Sequence, residues 1–230
     1  MMQNLLLLHG ALSTRLQFDS LRPLLANDFE VEAINFSGHG GLNIPMQGFT
    51  FNAFANDILA YADKNKIEKL NLFGFSMGGY AALYFAKLYP NRVNKIFTLN
   101  VKFNWDLAST ARETAMLDAE KMMLKVPGYA NQLMMLHGIQ MWKEVINQTS
   151  GMMSALSKDY LLTKEDYKQM IFPIRLAIGD RDSTSSVQET LDVYQKLPNA
   201  SMWVLPNTNH PFEKINSQKL ASEINEFFLK

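Results

Sequence analysis

Residues 71–80 read NLFGFSMGGY, and this stretch decides the fold. Its first half is a short apolar run that ends at Phe75, which predicts a buried strand. A lone serine, Ser76, follows between glycines, and the alanine-rich segment after it predicts a helix over Met77–Tyr89. The stretch therefore predicts a sharp turn from a strand directly into a helix, with Ser76 at its corner.

The residues around Ser76 favour a reactive hydroxyl at this corner. Residues 74–78, GFSMG, have the spacing G-x-S-x-G in the strand–turn–helix context that this pattern requires. Glycine at 74 and 78 lets neighbouring backbone approach closely, and the helix N-terminus directs its N–H groups at the reaction centre. The alternative interpretation is that Ser76 only caps the helix. Its position at the end of the third predicted strand favours a nucleophile.

The composition excludes several classes of protein. The 230 residues carry a formal net charge of zero and no cysteine, which excludes disulfides, thiolate metal sites and a cysteine nucleophile. The sequence contains no block of like charge, so its charge pattern does not indicate a nucleic-acid or membrane partner. The apolar run Leu5–Leu8 is too short for a signal peptide. We therefore expect a cytoplasmic protein that acts on a small-molecule substrate, and the sequence leaves its oligomeric state open.

Short apolar runs alternate with helical patterns along most of the chain. The predicted strands are Asn4–His9, Glu30–Asn35, Lys69–Phe75, Asn94–Asn100, Ile174–Gly179 and Ser201–Leu205. The predicted helices are Ser13–Asn27, Asn52–Asn65, Met77–Tyr89, Ser186–Lys196 and Ser217–Leu229. Several strands are apolar on both faces, which is typical of parallel strands covered by helices on each side. The alternation predicts an α/β fold with a doubly wound, mostly parallel sheet of about six strands.

One interval breaks this alternation. Between residues 103 and 171 no strand is predicted, and helical stretches are punctuated by VPG at 126–128 and TSGM at 149–152. We interpret this interval as a helical lid over the strand ends. The predicted organisation is a core of residues 1–102 and 172–230, with the lid of residues 103–171 inserted in it.

A serine nucleophile needs a general base, and the chain has four histidines. His210 follows the last predicted strand, and functional sites in doubly wound sheets gather at the carboxyl ends of strands. We therefore predict that His210 takes the serine proton. His9 and His39 are interpreted as residues that shape loops, and His137 lies among apolar residues of the predicted lid.

A carboxylate should orient the histidine from another strand end. The segment AIGDRDSTSS, residues 177–186, supplies Asp180 and Asp182, and either one suits the role. Asp182 is favoured because it lies deeper in the turn and has the usual glycine-x-x-Asp spacing.

An oxyanion hole requires two N–H donors. One is the backbone N–H of Met77, the residue after the serine. The second should come from HGALS, residues 9–13, where Ala11 or Leu12 can supply it. Ala11 is preferred, although the sequence does not decide between the two.

These segments together resemble the α/β-hydrolase fold superfamily. The matching segments are LLLLHGALS (5–13), INFSGHGGL (34–42), GFSMGG (74–79), AIGDRD (177–182) and LPNTNHPFE (205–213). The resemblance implies a Ser76–Asp182–His210 triad and hydrolytic chemistry with no cofactor or metal. The sequence departs from the family in one respect, because it begins directly at the strand that carries HG. We therefore expect a reduced sheet of about six strands without the family's leading antiparallel strands, in the order 2-1-3-4-5-6.

The predicted lid is rich in methionine, which re-packs easily. Most of these methionines are expected in its core, while Leu12, Met77, Trp105 and Trp142 are predicted to line an apolar substrate pocket. The predicted function is a carboxylesterase-like serine hydrolase that cleaves esters of small, uncharged or hydrophobic substrates through an acyl-enzyme. Two alternatives stay open: a C–C bond hydrolase or lyase of the same fold, and a non-catalytic ligand-binding protein on this scaffold.

Overall fold

A computed structural model describes residues 2–230 of the chain. Its sheet has six parallel strands in the order β2-β1-β3-β4-β5-β6. The strands are β1 (Gln3–Leu8), β2 (Phe29–Ile34), β3 (Leu70–Phe75), β4 (Val93–Leu99), β5 (Ile174–Gly179) and β6 (Ala200–Leu205). The predicted doubly wound sheet and its strand order are confirmed.

Helices pack on both faces of the sheet and fill the connection between β4 and β5. The α-helices are α1 (Arg22–Leu25), α2 (Phe51–Lys64), α3 (Met77–Leu88), α4 (Leu107–Thr114), α5 (Ala119–Lys125), α6 (Pro127–His137), α7 (Trp142–Leu156), α8 (Lys164–Gln169), α9 (Val187–Tyr194) and α10 (Ser217–Leu229). Short 3-10 helices span Arg15–Phe18, Pro90–Arg92 and Phe212–Lys214. Among residues 2–230, none of the helices combines the length and the apolar character that crossing a membrane requires.

The period-2 alternation of the strands separates two apolar layers. In β1, Leu6 and Leu8 pack in the layer formed with α2, α3 and α9. Leu5 and Leu7 point the other way, into the layer formed with α1 and α10. All four leucines are essentially inaccessible to solvent, so β1 is buried on both faces as parallel strands are.

The predicted helix over Ser13–Asn27 is wrong. The structure instead has a 3-10 helix at Arg15–Phe18 and the short helix α1, separated by a turn. Pro23 lies in the first turn of α1, where its missing N–H needs no partner. In a continuous helix its ring would clash with the carbonyl of Asp19, so the helix has to restart there.

The inserted helices α4–α8 follow the predicted helical content but not all of its breaks. The break at residues 126–128 is present, because α5 ends at Lys125 and α6 begins at Pro127. The break at 149–152 is absent, and α7 runs through Gly151. Burial of Thr149 and Met152 on the same helix outweighs the weak helix propensity of one glycine, about 1 kcal/mol. The division into core and lid stays a prediction.

Candidate active site

Ser76 occupies the tight turn between β3 and α3. Its backbone has φ 50° and ψ −117°, and its N–H donates to the carbonyl of Leu99 at 2.8 Å. A Cβ on Gly74 would lie 2.5 Å from the carbonyl oxygen of Gly78, and a Cβ on Gly78 would collide with the backbone of Leu8. Glycine at both positions therefore permits the close approach that aims the serine above the sheet.

Ser76, His210 and Asp182 form a continuous chain of hydrogen bonds. His210 Nδ1 lies 2.7 Å from Asp182 Oδ2, and His210 Nε2 lies 3.2 Å from Ser76 Oγ. Because the carboxylate only accepts, Nδ1–H donates to it, and Nε2 is left to accept the Ser76 hydroxyl proton. The Asp182 side chain is completely buried, which removes competing water from this pair.

The turn after β5 explains why Asp182 rather than Asp180 faces the histidine. The other oxygen of Asp182, Oδ1, accepts the N–H groups of Thr184 at 2.8 Å and Ser185 at 2.9 Å, which fixes the carboxylate in the turn. Asp180 is exposed, and it accepts the N–H of Thr208 instead. The two carboxylates that the sequence left open thus have different surroundings, and only Asp182 contacts His210.

The predicted oxyanion donors lie beside Ser76. Within residues 2–230, the backbone N–H groups of Met77 and Ala11 donate to no protein acceptor. Met77 is the first residue of α3, where N–H groups lack an intrahelical partner. A Cβ built on Gly10 would lie 3.5 Å from Ser76 Cβ, so the loop that carries Ala11 passes directly beside the serine. Leu12 has φ 58° in the same loop, and its N–H is also without an acceptor in this range.

Two cavities are lined in part by Ser76. The larger one, of about 540 Å³, is lined by His210, Leu12 and polar side chains that include Gln17 and Glu113. The smaller one, of about 30 Å³, is largely apolar and is not lined by His210. Its walls are formed by Ala11, Phe51, Met77, Tyr80, Lys102, Trp105, Met152, Met153, Leu156 and Thr184. The serine hydroxyl is therefore shared by a wide space with a mixed polar and apolar lining and a narrow apolar space.

The two tryptophans predicted to bind substrate lie in different places. Trp105 lines the small cavity, and its Nε1–H donates to the carbonyl of Lys102 at 3.1 Å. Trp142, at the start of α7, is buried in the apolar core and lines neither cavity at Ser76. Its predicted contact with substrate therefore has no support in this arrangement. Trp142 instead packs in the apolar core, where the sequence predicted a pocket position.

The fold agrees with the comparisons to known proteins. A family model described as alpha/beta hydrolase fold matches residues 3–127, just over half of the chain. The chain belongs to the alpha/beta hydrolase fold family.

Individual relatives match over shorter spans. A serine hydrolase-like protein of Danio rerio is 33% identical over 97 residues, which are 41% of this chain and 30% of the relative. A pimeloyl-(acyl-carrier protein) methyl ester esterase of Neisseria meningitidis is 33% identical over 90 residues, 39% of this chain and 33% of the relative. The matches thus span about a third of the length of these curated relatives. A thermophilic esterase of Thermogutta terrifontis (malate bound) superposes with a TM-score of 0.79 at 19% identity, over 99% of this chain and 89% of the other.

Asn100 supports the site and was missed from the sequence. It directly follows β4, with φ 54°, and is fully buried. Its Nδ2 donates to the carbonyl of His210 at 3.3 Å, and its Oδ1 accepts the N–H of Gly179 at 2.9 Å. One amide thus joins the histidine loop to the end of β5. The sequence signal for this role is the polar residue that directly follows a buried apolar strand.

His137, on α6, is the second residue whose contacts the sequence did not indicate. Its Nδ1 accepts the N–H of Gly40 at 3.1 Å, so Nε2–H donates to the carbonyl of Leu12, also at 3.1 Å. The inserted helices are in this way bonded to the loop that carries the predicted oxyanion donor. Within residues 2–230, no group of three or more His, Cys, Asp or Glu side chains is arranged to hold a metal ion.

Proposed function

We propose that this chain is a serine hydrolase that cleaves carboxylic esters of small, uncharged or hydrophobic substrates. The observation that carries the proposal is the unbroken hydrogen-bonded chain from Ser76 through His210 to the buried carboxylate of Asp182, at the mouth of two cavities. Membership of the family and the esterase names among the relatives agree with it.

In the first half of the proposed reaction, the Ser76 oxygen bonds to the ester carbonyl carbon while His210 Nε2 takes the hydroxyl proton. The carbonyl oxygen becomes an oxyanion, which the N–H groups of Met77 and Ala11 stabilise. The carbon–oxygen bond to the alcohol then breaks, and His210 returns the proton to the departing alkoxide. The products of this half are a free alcohol and an acyl group esterified to Ser76.

In the second half, water repeats the attack from the same side. His210 takes a proton from the water as its oxygen bonds to the acyl carbon. The bond to Ser76 breaks, the serine recovers its proton from His210, and a carboxylic acid leaves. Asp182 holds the imidazole in the required tautomer and stabilises its positive charge in both halves.

The two cavities have different roles in this scheme. His210 has to deliver a proton to the departing alcohol, and it lines the larger cavity but not the smaller one. We therefore assign the alcohol portion of the substrate to the larger cavity. The acyl portion then occupies the small apolar cavity, next to Met77 and Ala11.

The proposal is tested by hydrolysis of p-nitrophenyl acetate and butyrate. We expect Ser76→Ala to abolish turnover above background. Asp182→Asn should lower kcat by about 10⁴-fold because it leaves the histidine in the wrong tautomer. Asp180→Asn is the matched control, two residues away on the same turn, and should change kcat by less than about threefold because its carboxylate faces Thr208 and solvent.

Other results identify the alternatives. Equal losses in the two aspartate variants, or activity that survives Ser76→Ala, contradict the proposed mechanism. Cleavage of a vinylogous diketo acid in preference to the esters would favour C–C bond hydrolysis. Tight ligand binding without turnover would favour a binding protein on this scaffold.

A further inference from the structure

A second apolar space lies directly behind the small cavity. It is a groove of about 190 Å³ between the start of α2 and the end of α7. Its lining residues are Phe49, Thr50, Phe51, Met152, Ala155, Leu156, Asp159 and Leu161. Ser76 does not line this groove, which opens to solvent beside the exposed residues Ala155 and Asp159.

The cavity and the groove share one wall. Phe51, Met152 and Leu156 line both spaces, and each is at most 6% exposed. The wall is thus a single layer of side chains, with the reactive serine on one side and the groove on the other.

The three wall residues differ in how freely they can move. Phe51 is held in an aromatic cluster, with its ring 4.6 Å from that of Tyr80 and 6.0 Å from that of Phe54. Leu156 ends α7, is almost completely buried and has a branched side chain with few rotamers. Met152 has an unbranched, flexible side chain, the type that adapts most readily to its surroundings. Met152 is therefore the part of the wall that a substrate can displace.

The size of the small cavity sets a limit on what fits without displacement. One water-sized group needs about 10–15 Å³ of such space, so 30 Å³ accommodates two or three of them. An acyl group between acetyl and butyryl fills the cavity, and each further methylene meets the wall. The groove on the other side of this wall is lined mainly by apolar residues, with Asp159 at its exposed side.

We propose that Met152 sets the acyl-chain length that this enzyme accepts, by closing the small cavity against the apolar groove between α2 and α7. The inference rests on the proposed esterase function and on the assignment of the acyl group to the small cavity. The substrate class is short straight-chain acyl esters, and the groove receives the far end of a longer chain only when Met152 is moved or shortened.

The experiment compares kcat/KM for p-nitrophenyl esters with two, four, six, eight and ten acyl carbons. In the unaltered chain we expect the highest value at two or four carbons and at least a tenfold fall by eight. Met152→Ala should raise the ratio of kcat/KM at eight carbons to that at four by at least tenfold, and Met152→Val should raise it less. The ratio of two kcat/KM values measured on one preparation does not depend on how much of the variant is folded. A destabilised variant therefore still gives a valid measure of chain-length preference.

Met135→Ala is the matched control, because Met135 is on α6 with 87% of its surface exposed. It should leave the ratio unchanged. An unchanged ratio in both Met152 variants, or a maximum at eight or more carbons in the unaltered chain, overturns the role of Met152 while esterase activity through Ser76 stands. A chain that cleaves no ester in the series faster than Ser76→Ala overturns the proposed function, and this inference with it.

Discussion

At the scale of single residues, Ser76 is held in a conformation that a serine in a free chain rarely adopts. Its φ of 50° costs of order 1–3 kcal/mol, which the surrounding structure has to supply. The Ser76 side chain makes no capping hydrogen bond to α3 and lies 3.2 Å from His210 Nε2. Ser76 therefore occupies the N-cap position of α3 without capping the helix through its side chain, and its hydroxyl lies within hydrogen-bond distance of the histidine instead.

The glycines of this turn give a direct stability prediction. Gly78→Ala should destabilise the fold by about 1–3 kcal/mol or more, because the new Cβ meets the backbone of Leu8 and His9 rather than a movable side chain. Gly151→Ala, inside α7, meets no atom within 4 Å and should stabilise by about 0.5–1 kcal/mol. Urea unfolding of the two variants measures both values, and equal effects would contradict the account of the turn.

Site residues can be predicted from the sequence when they lie in a recognisable short motif. Ser76 and Asp182 lie in short motifs that end strands, and the structure brings both to His210 as the sequence predicted. Asn100 and His137 act through hydrogen bonds to backbone groups about 80 to 125 residues away in the chain. Nothing in the neighbouring sequence specifies such partners, since a backbone N–H or carbonyl has the same chemistry at every residue.

At the scale of elements, three histidines join three different segments. The histidine cluster is His9 at the end of β1, His39 in the loop after β2 and His137 on α6. Ring centroids are 4.9 Å apart for His9 and His39, and 5.7 Å apart for His39 and His137. All three are buried, and His9 and His137 each use one ring nitrogen as a donor and the other as an acceptor. This bonding requires neutral rings.

The cluster predicts a loss of stability in acid. Burial lowers the pKa of His9 from 6.5 to about 4, and burial also lowers the pKa values of His39 and His137. The unfolded chain therefore binds more protons than the folded one below pH 6.5. The stabilising effect is complete above that pH and declines as the pH falls toward 4, by about 3 kcal/mol for His9 alone.

Urea unfolding between pH 7.5 and 4.5 measures this decline. His9→Asn, which keeps a donor near the Nδ1 position but does not titrate, should be less stable at pH 7.5 and should show a shallower dependence on pH. A slope equal to that of the unaltered chain would contradict the assignment of the decline to His9.

The elements that the sequence predicted poorly share a physical cause. The helix expected at Ser13–Asn27 has apolar spacing throughout, but Pro23 prevents a continuous helix. The break expected at 149–152 does not occur, and the chain instead turns at Gly138, with φ 87°. The first error comes from giving the apolar spacing more weight than the proline. The second comes from giving one glycine more weight than the packing of α7. The strands β1, β3, β4 and β5 were easier to predict, because a short and mostly buried apolar run is typical of the inner strands of a parallel sheet.

At the scale of the whole molecule, one apolar core runs from the sheet into the inserted helices. The same cluster contains Leu72 of β3, Tyr80 of α3 and Trp105, Val145 and Ile146 of the segment between β4 and β5. The inserted helices therefore share their packing with the sheet and do not have a separate core.

This continuity predicts that the chain unfolds in one cooperative transition. In Trp203→Phe, the remaining tryptophans, Trp105 and Trp142, both lie between β4 and β5, so fluorescence reports on that segment alone. Far-UV circular dichroism reports on all helices and strands. The two midpoints in urea should coincide. An earlier fluorescence midpoint would show that the inserted helices unfold as an independent unit.

The proposed function requires the Ser76 hydroxyl to be the activated nucleophile of this molecule. Treatment with a fluorophosphonate, followed by intact-mass and peptide analysis, tests it most directly, because the probe forms a stable bond only with an activated serine. We expect one adduct per chain, located on the tryptic peptide 70–87, and no adduct on Ser76→Ala. A folded chain that gains no adduct, or one labelled equally with and without Ser76, would contradict the account.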